Sequence, residues 1–142
     1  MIIKTAGFKQ YILFASVLFM ISVLFFMSGI INITPSEFIC KSSDDGSHYC
    51  RYKGPIERAY LNKDGLALFF LDAKVKSEEL DKRGFVGVKS FDGVALNVND
   101  SEINKSMSKL IEKAFFERKQ VELHMREVSS GYLMVDRVWV NR

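Results

Sequence analysis

Histidine and cysteine are scarce in this chain of 142 residues, with only His48, His124, Cys40 and Cys50. A catalytic centre needs positioned acid, base, nucleophile or metal groups, and so few of these side chains cannot be spaced into a common zinc site. No glycine-rich phosphate loop is present, and Asp44-Asp45-Gly46 lacks the alternating oxygen ligands and closing glutamate of a calcium loop. A clustered basic face is missing too, because Lys and Glu are interspersed, which argues against nucleic acid as a partner. The serines gather at turns, where local backbone hydrogen bonds account for them. These absences predict a protein that is not an enzyme, binds no nucleic acid and holds no metal or cofactor.

Charge is nearly balanced once its position is considered. The formal net charge is +3, but Lys4 and Lys9 precede a long hydrophobic run, leaving 18 Lys and Arg against 17 Asp and Glu after it, a balance of +1. That run, YILFASVLFMISVLFFMSGIINI from Tyr11, carries no charge. About 20 such residues, at 1.5 Å rise each, cross a hydrocarbon core of roughly 30 Å. It exceeds the apolar region of a cleaved signal peptide, and small residues are lacking where cleavage would need them. The pattern predicts a cytoplasmic N-terminus over residues 1–10 and a transmembrane helix over 11–33. Since basic residues flank the run on its N-terminal side, the rest of the chain is expected outside, giving a single-pass bacterial inner-membrane protein, N-in/C-out, with a periplasmic domain. Ala15, Ser22 and Gly29 recur every seven residues and are candidates for helix–helix contact.

Residues 34–54 read as an extracytoplasmic linker or hairpin. Cys40 and Cys50 bracket a loop whose Asp45-Gly46 is a turn signal. In an oxidising compartment the pair is expected to form a disulfide, worth up to about 3 kcal/mol. A metal site using His48 is the weaker alternative, since the spacing fits no common pattern.

The body, residues 55–142, alternates short apolar runs with turns. Ile56–Leu61 and Leu66–Leu71 flank Asn62-Lys63-Asp64-Gly65, a hairpin signal. Leu66–Leu71 is apolar on both faces and so belongs at the centre of a sheet. The charged stretch 73–83 reads as a loop with a helical turn near Ser77–Leu80. Phe85–Val88 and Val94–Val98 predict a second hairpin. After Asn99-Asp100-Ser101, Ile103, Met107, Leu110, Ile111, Ala114 and Phe115 predict an amphipathic helix. Val121–Met125 alternates, with His124 outward. Tyr132–Val140 closes the chain, and its Asp136-Arg137 predicts a bulge, an edge or a pairing with neighbouring charges.

This order fits a five-stranded Greek-key OB-fold barrel with its amphipathic helix between strands 3 and 4. The helix end Lys113-Ala114-Phe115-Phe116-Glu117-Arg118-Lys119, then Val121-Glu122-Leu123, then Tyr132 and Asp136-Arg137-Val138-Trp139 resembles small exported bacterial OB-fold proteins that are similar in shape to the binding subunits of AB5 toxins. The resemblance covers residues 54–142 and rests on core positions. It implies a mainly-β, OB-like barrel and carries no active site. Two departures stand out: the family is mainly secreted and soluble, whereas an anchor is expected here, and the cysteines precede the barrel.

The expected function is a membrane-anchored periplasmic binding or interaction module contacting an envelope or membrane protein. An immunity or inhibitor protein against an exported toxin or enzyme is one alternative, and a glycan-binding domain is another. Tyr49, Tyr52 and Tyr60 are the candidate partner-binding residues, with the charged loop 74–83.

Overall fold

The computed structural model describes residues 35–140, which belong to the second of two units, Met1–Ile33 and Thr34–Arg142. The described elements are β1 (Glu37–Ser42), β2 (His48–Gly54), β3 (Ile56–Leu61), β4 (Leu66–Leu71), α1 (Ser77–Asp81), β5 (Gly93–Asn97), α2 (Glu102–Phe116), β6 (Val121–Ser129) and β7 (Tyr132–Val140). All seven strands join one sheet in the order β1-β2-β6-β7-β5-β4-β3. Every neighbour is antiparallel except β5 and β7.

The sheet cannot be flat. Gly54 ends β2 and Ile56 begins β3, so their Cα atoms lie within about 7.6 Å. Yet β2 and β3 are five places apart in the sheet order, which would separate them by roughly 24 Å in a flat array. The sheet therefore curls until the two ends of that ribbon meet at Pro55.

The corner is held by polar groups. The Tyr52 hydroxyl donates to Asp72 Oδ1 at 2.6 Å and also abuts the Pro55 carbonyl oxygen, while Ser36 donates to Asp72 Oδ2 at 2.5 Å. A Cβ on Gly54 would collide with the Tyr52 hydroxyl and the Ser36 side chain, so the corner requires glycine. Burial, reinforced by Asp72, pushes the Tyr52 pKa well above the usual phenol range and keeps the hydroxyl protonated.

Inside the curl lie Tyr52, Phe69, Leu96, Leu123, Met125 and Leu133, all nearly or fully inaccessible. Helix α2 packs against β3, β5 and β7. Its N-cap, Ser101, accepts from the Asn104 amide at 3.0 Å. The buried stripe is Ser108, Ile111 and Ala114, with Met107 and Phe115 beside it. Ile103 is 71% and Leu110 40% exposed, so the helix is turned part-way from the face that the apolar spacing predicts, keeping Met107, Ile111, Ala114 and Phe115 on the core side. Ser108 can occupy the core because its hydroxyl donates to Glu112 Oε1 one turn on, at 2.8 Å.

Several expectations are corrected. A five-stranded OB-like barrel with its helix between strands 3 and 4 gives way to one seven-stranded sheet. Among the described residues the only long helix, α2, follows the fifth strand. The count changes because the cysteine hairpin joins the sheet: β2 pairs with β6 and brings β1 in. Phe85–Val88 is not a strand, because Gly84 and Gly87 take φ of 73° and 85° and break the extended backbone.

Among the described residues no helix is long and apolar enough to cross a membrane. That corrects the expectation of an integral, single-pass, N-in/C-out inner-membrane protein with a periplasmic domain. Residues 11–33, on which the expectation rests, lie outside the described residues, together with Ala15, Ser22 and Gly29.

Cys40 and Cys50 form a disulfide. They face each other directly across β1 and β2 with Cα atoms 3.9 Å apart. The Cys40 amide is turned outward, where it donates to Glu79 Oε2 of α1 at 3.2 Å. The charged loop is therefore part of the fold. With Val75 and Leu80 buried, it places α1 against the edge strand and occupies one of its free donors.

Candidate functional site

One of the side chains that stand out for recognition, Trp139, is set by a bulged segment. In the pairing of β6 with β7, His124 faces Arg137, Met125 faces Val135 and Glu127 faces Met134, so that Arg126 and Asp136 are each skipped. A skipped residue reverses the alternation of everything after it. On β7, Leu133 and Val135 point inward before the bulge, and Val138 and Val140 pack on the core after it. Trp139 is thereby turned to the outer face, where it is 43% exposed. The skipped residues face one another as an ion pair, Arg126 Nε to Asp136 Oδ2 at 3.4 Å.

Three rings from three strands meet on that outer face. Tyr49 of β2 stacks on His124 of β6, with centroids 5.1 Å apart and planes 20° from parallel. His124 in turn contacts Trp139 of β7 at 4.7 Å and 59°. Such offset and tilted arrangements are favoured by the ring quadrupoles. Charges border the ledge: Arg51 Nη2 lies 2.6 Å from Glu37 Oε2 and Nη1 lies 3.9 Å from Glu122 Oε1, and His124 Nε2 is 3.4 Å from the same Glu122 oxygen. Arg51 Nε is buried without a partner. The pairing explains this convergence, since Arg51 faces His124, Lys53 faces Glu122, and Glu122 faces Trp139.

The three candidate tyrosines are not brought together. Tyr49 is part of the ledge. Tyr52 points to the opposite face and is fully buried, which removes it from any contact surface. Tyr60, 55% exposed, lies on β3 near Leu61 and Phe116, which are 56% and 80% exposed. His124, expected to point outward, does so but is largely covered by its aromatic neighbours. Trp139 is absent from the sequence candidates, and its outward direction depends on the bulge.

A cleft of about 460 Å³ opens where α2 begins, lined by Asn97, Asp100, Asn104, Arg126, Glu127 and Asp136 among others. No group of three or more His, Cys, Asp and Glu that could hold a metal occurs among the described residues. Comparison of the chain with protein-family models, with curated proteins and with solved structures finds no match.

Proposed function

We propose that the domain is a non-catalytic binding module that holds a protein partner on the ledge formed by Tyr49, His124 and Trp139. The observation that carries this reading is the ledge itself: tryptophan, tyrosine and arginine converge on one outer sheet face, the tryptophan turned there by the bulge at Asp136. Protein interfaces concentrate their binding energy in Trp, Tyr and Arg, ringed by polar groups. Stacking already fixes the rings, so little side-chain freedom is lost on docking. The charged rim, with Glu37, Arg51 and Glu122 already paired, suits the edge of such a contact.

A photo-reactive residue in place of Arg137, beside the ledge, tests the proposal, with one in place of the distant Lys63 as control. Capture of one protein from the first position only is the expected result, with Trp139→Ala weakening the interaction about 10- to 30-fold, as for a binding hot spot. Capture that is indifferent to both Trp139→Ala and Tyr49→Ala would overturn the reading. So would saturable glycan binding at the ledge with no protein captured.

A further inference from the structure

A second cleft lies at the end of the sheet, where the turn between β1 and β2, the loop after α1 and the bulged part of β6 meet. Residues far apart in sequence line one cleft there, of about 560 Å³, including Ser47, His48, Arg83, Phe85, Arg126 and Glu127. Arg83 gives one N–H from Nη1 to the Glu79 carbonyl at 3.1 Å, while its Nε is buried without a partner. No carboxylate among the described residues lies within ion-pair distance of Arg83. Arg126 directs Nε to Asp136 at 3.4 Å. His48 engages Ser42 through Nδ1 at 3.0 Å.

A guanidinium has five N–H donors in a fixed fork, so each arginine has donors beyond those used here. A buried, unsatisfied donor on a charged group is costly. An oxyanion with two or three oxygens would engage Arg83 and Arg126 together, in the short, charge-assisted geometry that guanidinium favours. Glu127 is the one carboxylate lining the cleft, and it should weaken binding of an anion rather than abolish it.

We propose that this cleft is an oxyanion-binding site, taking a carboxylate or a phosphate between Arg83 and Arg126 with His48 alongside. The inference is independent of the aromatic ledge, which lies on the outer sheet face.

The test uses the full chain, isotope-labelled, with inorganic phosphate and acetate titrated separately at constant ionic strength. Amide shifts of Ser47, Gly84 and Glu127 should saturate below about 50 mM ligand, as a site of millimolar affinity requires. Saturation with phosphate alone assigns a phosphate ligand, and saturation with acetate assigns a carboxylate. Arg83→Gln should weaken binding about tenfold or more, as expected for loss of a hydrogen bond from a charged donor. Glu127→Gln should strengthen it, and Lys53→Gln on the outer face should leave it unchanged. If Arg83→Gln does not fold, Arg126→Gln provides the same comparison. Shifts that rise linearly with both anions, or binding unaffected in a folded arginine variant, would overturn the proposal.

Discussion

Breaking the Cys40–Cys50 bond is the perturbation whose cost can be worked most directly from the structure. The two residues are ten positions apart, and restricting an unfolded loop of that length contributes about 2.8 kcal/mol at 25 °C in the chain-entropy description. A domain of roughly 100 residues unfolds with an entropy near 0.2 kcal/mol/K, so reduction should lower its midpoint by about 14 °C. In urea the midpoint should fall by about 1–2 M, with a slightly steeper dependence because the reduced unfolded chain is more expanded. The native partners remain, since six residue pairs join β1 to β2 and Glu79 still accepts from the Cys40 amide. Circular dichroism melts of the oxidised and reduced protein measure the cross-link alone. The double variant Cys40→Ala/Cys50→Ala adds the loss of two buried sulfurs and should melt lower still. A change below about 3 °C on reduction would refute the entropic reasoning. Complete loss of folding would do so from the other side, by showing that the bond determines the sheet rather than tightening it.

The rotation of α2 has a paired test: Ile111→Ala should cost about 2–5 kcal/mol by leaving a cavity, and Ile103→Ala less than about 0.5 kcal/mol because that side chain is solvent-facing. Equal costs by chemical denaturation would contradict this orientation of the helix. For pH, the Asp45 carboxyl is held below its ordinary value by the Ser47 hydroxyl, Glu102 by Lys105 and Glu117 by Lys119. A carboxyl whose folded pKa is depressed contributes stability above its unfolded value of about 4 and loses it as pH falls through the folded value. The thermal midpoint should therefore hold between about pH 5 and 7 and decline below about pH 4. These groups are exposed, so salt should shrink their share; a midpoint that rises on acidification contradicts the assignment.

Much of the body is legible in the sequence because its signals are local. Leu66–Leu71 is apolar on both faces, and β4 does lie inside the sheet between β3 and β5. Asn62 marks its hairpin, accepting from the Asp64 and Leu66 amides. Asp136-Arg137 predicts a disturbance, and a bulge with an ion pair is found. What is not legible depends on partners far along the chain. The alternation Phe38, Cys40 and Cys50, Tyr52 becomes a strand pattern only when the cystine is counted as an apolar pair packed on the core. The apolar spacing finds Met107, Ile111, Ala114 and Phe115 of α2 but wrongly adds Ile103 and Leu110, because it counts Ser108 as polar, whereas the bond to Glu112 lets that serine be buried.

The ledge is hidden for a related reason. Strict alternation along β7 would send Trp139 to the same side as Leu133 and Val135. The bulge at Asp136 reverses it; Asp136-Arg137 marks a disturbance in the sequence, but a bulge, an edge and a charge pairing fit it equally, and only the bulge turns Trp139 outward. The outward placement of Glu122 and His124 on β6 is the readable half of the site.

The broken strand at Pro55 divides the domain in time as well as in space. On its C-terminal side, Leu61 meets Ala67 across a short hairpin. On its N-terminal side, Gly54 must wait for Val121, 67 residues further along. Closing a long loop is slow relative to closing a short one. The β3–β4 hairpin is therefore expected to zip early, and the β1–β2 hairpin to dock once β6 has been brought round.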